Sequence, residues 1–192
     1  MFKEENAYKR PLRTRWVHTW KHKKYLSPTM NQIQHERVEK SRLVVVGCME
    51  NGKQLETYSG TADVSVLRLC LLFALSQGWS GATTDVRTAF LQAPITRDCW
   101  IQMPSNTPSH ILKRFNLDLA SVYKLAQNVY GTKDAPRVYT RFFKNKVKLI
   151  DWEELTESIL VRRVNGVIIA ILIMHVDDLM CLCNEPMKAL TE

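Results

Sequence analysis

Long apolar runs are missing from this sequence of 192 residues. The longest covers residues 167–174 and is too short to cross a bilayer, and residues 1–10 lack the apolar core of a signal peptide. The five cysteines are odd in number and none stands in a CxxC pair, which favours reduced thiols over a disulfide framework. The sequence therefore predicts an intracellular protein, of cytoplasm or nucleus, without a membrane span.

Paired metal-ligand spacing is also missing. His18 and His22 are followed by no second ligand pair, and Cys181 and Cys183 stand alone, so no zinc site is predicted. The sequence has no internal repeat or low-complexity tract. Its hydrophobic fraction of 45% and charged fraction of 24% are typical of an ordinary globular domain.

Basic residues outnumber acidic residues strongly in two parts of the chain. Residues 1–42 and 113–148 each carry a net charge of +7, whereas 43–112 carries −1 and 149–192 carries −5. The two basic blocks therefore alternate with segments that contain Asp85 and the adjacent pair Asp177 and Asp178. This distribution is typical of a protein that holds a polyanion over an acidic centre. A solvated basic surface is the alternative interpretation.

Apolar periodicity predicts two helices. The first covers residues 64–77, with Asp63 as its N-cap and Gly78 just beyond its C-terminus. The second covers residues 135–149, with Asp134 as its N-cap and a basic outer face.

Segments rich in β-branched residues predict the strands. A short strand over 81–86 ends near Asp85, and residues 161–183 are expected to form a β-hairpin with the aspartate pair at its turn. A buried helix is the alternative for that apolar run, but the charged interruption favours strands. The remaining predictions are strands over 14–20 and 41–47, a polar loop over 25–40 between them, and mostly loop over 102–120.

The adjacent carboxylates need a positive partner. Two carboxylates about 4 Å apart repel by roughly 4 kcal/mol at an effective dielectric of about 20. Mg²⁺ is a hard cation that prefers carboxylate oxygens, and two such ions about 4 Å apart promote phosphoryl transfer. A metal centre that combines Asp85 with Asp177 and Asp178 is one interpretation, and a solvated turn without a ligand is the other.

Ordered blocks along the chain carry a more specific pattern. They read TRWV (14–17), VEKSRLVVVG (38–47), SVLRLCLLFALSQGW (65–79), TDVRTAFLQAPI (84–95), VYKLAQNVYGTKDAPRVY (122–139) and MHVDDLM (174–180). In composition and order these blocks resemble the reverse transcriptase domain of copia-like LTR retrotransposons. The resemblance covers nearly the whole chain.

The resemblance implies an α+β fold with the fingers and palm of a right-hand polymerase, in which helices back an antiparallel palm sheet. It assigns residues 1–192 to one partial domain, with fingers mainly in 1–80 and 100–150 and palm mainly in 81–99 and 151–192. The thumb and RNase H regions are expected to be missing, and the last strand of the hairpin is expected to expose an apolar edge.

The same resemblance assigns the chemistry. Asp85, Asp177 and Asp178 correspond to catalytic carboxylates that hold two Mg²⁺ ions, or Mn²⁺ in their place, and the backbone carbonyl of Val86 is a further ligand. A primer 3′-hydroxyl then attacks the α-phosphate of an incoming deoxynucleoside triphosphate, and pyrophosphate leaves. An RNA or DNA template-primer and deoxynucleoside triphosphates are the implied partners, without a membrane.

Four further residues correspond to a nucleotide site. Phe90 matches the family's aromatic steric gate against the ribose 2′-hydroxyl, with a core residue as the alternative. Lys40 and Arg42 are candidates for binding triphosphate oxygens, with a solvated face as the alternative. Gly131 would let the backbone approach the nucleotide, and a plain turn glycine is the other explanation.

The basic face of the second helix is expected to contact the template-primer. Arg137, Arg141 and Lys144 are the candidates for its phosphate contacts. Two of the departures from the family pattern are single residues. His175 replaces a tyrosine, which bears on contact with the primer end. Asp134 replaces a glutamine, which adds negative charge near the expected template path.

The sequence therefore predicts a fragment of a copia-like polyprotein that carries an RNA-directed DNA polymerase active site. A catalytically inactive nucleic-acid-binding remnant and a pseudogene product without a stable fold remain as alternatives. A metal-dependent nuclease could also use three aspartates, but the ordered blocks do not indicate one.

Overall fold

The computed structural model describes residues 11–26, 33–50, 55–60 and 62–190, which form a mixed α/β fold with two sheets. The strands are β1 (Leu12–Leu26), β2 (Ile33–Val45), β3 (Ser80–Asp85), β4 (Trp100–Gln102), β5 (Val122–Lys124), β6 (Trp152–Thr156), β7 (Ile159–Val164), β8 (Val167–His175) and β9 (Asp178–Cys183). The helices are α1 (Val64–Ser76), α2 (Ala89–Gln92), α3 (Ser109–Phe115), α4 (Ala135–Val147) and α5 (Pro186–Ala189).

The larger sheet has five antiparallel strands in the order β3-β9-β8-β7-β6. The hairpin predicted over residues 161–183 is confirmed, although its first residues belong to β7. The expectation that the last strand exposes an edge is wrong, because β3 pairs along one side of β9 and β8 along the other. This position places the turn between β8 and β9 beside the end of β3.

Helices cover both faces of this sheet. Leu172 and Met174 of β8 pack in a core cluster with Phe143 and Val147 of α4. On the opposite face, alternate residues of β8 pack in a second cluster with side chains of α1. Because successive side chains of a strand point to opposite faces, a strand that is buried on both sides is apolar throughout. This burial explains the uninterrupted apolar run of β8.

The smaller sheet has the strand order β2-β1-β4-β5. β1 and β2 pair antiparallel from Thr14↔Val45 to Leu26↔Ile33, and β4 runs parallel to β1. The polar loop predicted over 25–40 is therefore wrong for residues 25–26 and 33–40, which continue the hairpin, while 27–32 lie outside the described residues. Exposed polar side chains on both faces of this ribbon hide the alternation that identifies a strand.

The first helix prediction is confirmed to within one residue. The Asp63 carboxylate accepts the backbone N–H of Ser65 at 2.7 Å, and Gly78 has φ +67° beyond the C-terminus. Residues 102–120 are mostly loop, as predicted, although α3 lies within them. The longest described helices have 13 residues, and no helix in the described ranges has the length and apolar character that a bilayer span needs.

The second helix is also confirmed, and a 3-10 turn over Lys148–Ile150 extends it. Asp134 is its N-cap residue, as predicted, but the Asp134 side chain makes no capping hydrogen bond. Instead, Arg97 donates two hydrogen bonds to the buried Asp134 carboxylate, from Nε at 2.9 Å and from Nη2 at 3.0 Å. Ion pairing to a nearby guanidinium satisfies the carboxylate better than an exposed helix end would.

The same arginine connects three segments. Arg97 also pairs with the buried carboxylate of Glu50, and Glu50 accepts the backbone N–H of Lys133 at 3.1 Å. The hydrogen bond from Arg97 to Asp134 raises the pKa of the arginine above its usual range. This cluster attaches the chain after β2 to the start of α4, and the Arg97 guanidinium offsets part of the negative charge of the two carboxylates.

We expect Asp134→Asn to lower the free energy of unfolding by about 3 kcal/mol, because a partly buried guanidinium then loses an ionic partner. Urea denaturation followed by circular dichroism measures the change. Glu153→Ala is the control, since Glu153 pairs with Arg163 at 3.3 Å on the surface and such pairs contribute less than about 1 kcal/mol. Equal losses for the two variants would contradict a structural role for the cluster.

Candidate active site

The turn between β8 and β9 presents the aspartate pair. His175 and Asp178 are cross-strand partners, so Val176 and Asp177 form a two-residue connection. Val176 has φ +59°, a left-handed conformation that is strained for a β-branched residue. Outliers of this kind cost about 1–3 kcal/mol and are concentrated at functional sites. The backbone is thus held in an unfavourable conformation next to Asp177.

The end of β3 meets this turn. Asp85 is the cross-strand partner of Asp178, and the N–H of Val86 donates to the carbonyl of Asp177 at 2.9 Å. Directly opposed residues of antiparallel strands have Cα atoms about 5 Å apart. The fold therefore brings together three aspartates from positions about ninety residues apart in the chain. Their catalytic role remains a prediction.

The charges around these aspartates favour a cationic ligand. Within the described ranges, none of the three carboxylates forms an ion pair or a side-chain hydrogen bond. Among the basic residues, Lys40 on β2 has a pKa that the charge of Asp85 affects. Burial lowers the pKa of Lys40, the nearby charges of Arg42 and Lys21 lower it further, and the charge of Asp85 opposes them. The hairpin of β1 and β2 thus contributes at least one basic side chain, Lys40, whose pKa responds to the charge of Asp85.

The donor atoms suit Mg²⁺, but they do not form a complete protein cage. In the described part of the chain, no group of three or more His, Cys, Asp or Glu side chains is arranged to hold a metal ion. Mg²⁺ is usually bound through one or two carboxylates together with substrate phosphates and water. The opposed pair Asp85 and Asp178, with Asp177 adjacent, fits this second kind of site.

Phe90 lies on α2, five residues after Asp85. Its half-buried ring makes edge-to-face contacts with Tyr130, at 5.3 Å between centroids, and with Tyr139, at 6.2 Å. The guanidinium of Arg42 lies 5.5 Å from the centre of the Tyr130 ring. A row of contacts therefore joins β2 to α2, and it places two of the predicted nucleotide residues on either side of Tyr130.

Gly131 has a structural explanation in this fold. It has φ +94°, and a Cβ atom there would clash with the carbonyl oxygen of Val45. The backbones are joined at this point, since the N–H of Val45 donates to the carbonyl of Tyr130 at 2.8 Å. The close approach is therefore to β2, and a contact of Gly131 with a nucleotide remains a prediction.

The predicted phosphate contacts of α4 lie away from the aspartates. Arg137, Arg141 and Lys144 line a cavity of about 250 Å³, and with 3.6 residues per turn they lie on the side opposite Tyr139. Arg137 pairs with Glu56, and Lys144 is buried with its Nζ 2.7 Å from a carboxylate oxygen of Glu154. Arg141 is the most exposed, with 69% of its side chain accessible.

Tyr139 belongs to the buried cluster against which Val86 packs, and the sequence motifs assigned it no role. Its residue exposure is 1%, and its hydroxyl has no hydrogen-bond partner among the described residues. Burial raises its pKa to about 12, and the charges of Asp177 and Asp85 act in the same direction. The signal in the sequence was a tyrosine at a buried helix position where a phenylalanine would pack equally well.

Comparisons with known proteins agree with the ordered sequence blocks. The family described as "Reverse transcriptase (RNA-dependent DNA polymerase)" matches residues 3–192. A similar protein is the "Retrovirus-related Pol polyprotein from transposon RE1" of Arabidopsis thaliana, 30% identical over 177 residues, which cover 90% of this chain and 11% of that polyprotein. No solved structure gives a significant match. The copia-like resemblance is thereby confirmed, and the chain belongs to the reverse transcriptase (RNA-dependent DNA polymerase) family.

Proposed function

We propose that this chain carries the RNA-directed DNA polymerase active site of a retrotransposon polyprotein. In this proposal, Asp85, Asp177 and Asp178 bind two Mg²⁺ ions, with the carbonyl of Val86 as a further ligand. The observation that supports it most directly is the strand register, which makes Asp85 the cross-strand partner of Asp178. Family membership supplies the reaction, transfer of a deoxynucleotide to a primer 3′-hydroxyl with release of pyrophosphate.

The two sheets correspond in this proposal to the two parts of a right-hand polymerase. The five-stranded sheet is the palm, and the hairpin of β1 and β2 with its neighbouring strands is the fingers. The sequence assigned residues 1–80 and 100–150 to the fingers and 81–99 and 151–192 to the palm. Because α1 and α4 pack on the five-stranded sheet, we add them to the palm.

The carboxylates supply the ligands for the reaction centre. When bound, divalent ions would neutralise the phosphates and favour deprotonation of the primer hydroxyl. The protein contributes rigid placement: Asp85 is fixed by the β3–β9 pairing, and Asp177 by the hydrogen bond from Val86 to its carbonyl. Carboxylates without other ion pairs are available to such ions and to the triphosphate that accompanies them.

The nucleotide is proposed to lie between the basic hairpin and α2. Lys40 and Arg42 are two residues apart on β2, so their side chains share a face. They would bind triphosphate oxygens, Arg42 through its planar fork and Lys40 as a point charge. Phe90 would block a ribose 2′-hydroxyl with its exposed edge, and Gly131 would bring its backbone close to the nucleotide.

The template-primer is the proposed macromolecular partner. Arg141 is the most available of the three α4 candidates, because its guanidinium is largely exposed and lies as far as 4.0 Å from its partner Glu56. Arg137 and Lys144 would have to leave Glu56 and Glu154 before they could bind phosphate. The net charge of +8 supports nucleic-acid binding in general, which a non-catalytic remnant would also show.

We expect Asp177→Asn to abolish primer extension on an RNA template with Mg²⁺, with a loss of at least about a thousandfold. Removal of a metal ligand takes away several kcal/mol of transition-state stabilisation, and each 1.36 kcal/mol is tenfold in rate. Asp151→Asn is the matched control, because Asp151 is exposed, lies after α4 and has φ +65°, which asparagine accommodates.

Full activity of Asp177→Asn would overturn the assignment of the catalytic carboxylates. Salt-dependent RNA binding without any extension by the wild-type chain would favour the non-catalytic remnant instead.

We expect Phe90→Val to lower the discrimination against ribonucleotides by about tenfold or more, since a smaller side chain leaves room for the 2′-hydroxyl. The measurement is the ratio of kcat/KM for a deoxynucleotide to that for the matching ribonucleotide. Phe115→Val is the control, because Phe115 is exposed on α3. An unchanged ratio in folded Phe90→Val would instead assign the ring to the core.

A further inference from the structure

His175 stands next to the proposed catalytic centre, at a position where the family pattern has a tyrosine. It is the last residue of β8 and the cross-strand partner of Asp178 on β9. Asp178 is in turn the cross-strand partner of Asp85 on β3. Directly opposed residues of antiparallel strands point to the same face of the sheet. The three side chains therefore form a row across three neighbouring strands.

This row opens onto a cavity of about 460 Å³. All three members of the row line the cavity, and all three residues are exposed to solvent. The other described residues that line it are apolar side chains and two threonines, with no lysine or arginine among them. Two carboxylates and an imidazole, without a permanent positive charge beside them, favour a cationic ligand.

The imidazole of His175 is available to bind such a ligand. Within the described ranges, its ring nitrogens make no hydrogen bond and no ion pair. The Cα atoms of opposed residues lie about 4.5–5.5 Å apart, so an imidazole nitrogen and a carboxylate oxygen on the same face can contact one ion. Imidazole is a preferred ligand of divalent transition metals, whereas Mg²⁺ prefers oxygen atoms.

We propose that His175 and Asp178 together bind one divalent transition-metal cation, such as Mn²⁺ or Co²⁺, through a ring nitrogen and a carboxylate oxygen. This inference rests on the proposed function, because it assigns Asp178 as a cation ligand. Water completes the coordination, since no group of three such side chains in the described part of the chain is arranged around a single ion. A tyrosine offers no nitrogen, so His175 gives the centre a preference for transition metals over Mg²⁺.

The first test is the pulsed electron paramagnetic resonance spectrum of Mn²⁺ bound to the protein in the absence of nucleotide and primer. A nitrogen bound directly to Mn²⁺ modulates the electron spin echo, whereas carboxylate and water oxygens do not. We expect this nitrogen modulation in the wild type and its loss in His175→Tyr. His110→Tyr is the matched control, because it makes the same replacement at an exposed position of α3. It should keep the modulation.

The second test is isothermal titration calorimetry with Co²⁺ and with Mg²⁺. We expect His175→Tyr to lower the Co²⁺ affinity by about tenfold or more, because losing a direct ligand should cost at least as much as losing a group behind a ligand. The Mg²⁺ affinity should stay unchanged, since Mg²⁺ is bound through oxygen atoms. Circular dichroism melting shows that both tyrosine variants fold.

Three outcomes would overturn the inference. Mn²⁺ binding by the wild type without nitrogen modulation refutes the role of His175 alone and leaves the proposed function intact. Modulation that persists in His175→Tyr assigns the nitrogen to another histidine. Absence of Mn²⁺ binding in the wild type refutes the proposed function together with the inference, so the two failures are distinguishable.

Discussion

The antiparallel pairing of β3 with β9 is the constraint on which the proposed centre depends. It places Asp85 opposite Asp178 and lets the N–H of Val86 bind the Asp177 carbonyl. Since side chains alternate between the faces of a strand, a slip of one residue would turn Asp85 to the other face. β9 is held in place because its residues belong to the core clusters on both faces of the sheet. β3 is mostly exposed, so the backbone ladder to β9 carries the register of the polar site.

Charge organises the surroundings of this centre in a consistent way. Carboxylates without protein partners lie at one sheet end, and the charge of Asp85 acts on Lys40 of β2, which shares a strand with Arg42. Such an arrangement leaves room for an anionic substrate that brings cations with it. Asp134, by contrast, is paired with Arg97, which offsets its negative charge. The position of a carboxylate in the fold, rather than its neighbours in the sequence, decides whether it is available to bind a cation.

Local signals in the sequence predicted the elements that frame the site. Capping residues and apolar periodicity identified α1 and α4, and β-branched runs identified β3 and the hairpin of β8 and β9. Other features depend on contacts between distant segments. Arg97 binds the Asp134 carboxylate, which was expected to make a capping hydrogen bond. β3 pairs with the edge of β9, and the backbone of Gly131 packs closely against β2. The β1–β2 ribbon is polar on both faces, so its sequence shows no alternation of apolar and polar residues.

A crystal structure of the chain with Mn²⁺, primer-template and an unreactive deoxynucleoside triphosphate analogue tests the central claim most directly. Anomalous scattering locates the ions independently of the protein coordinates. We expect two ions about 4 Å apart. Carboxylate oxygens of Asp85 and of the turn aspartates should lie about 2.1 Å from an ion. Ions held by the triphosphate alone, with Asp85 turned away from the β8–β9 turn, would contradict it.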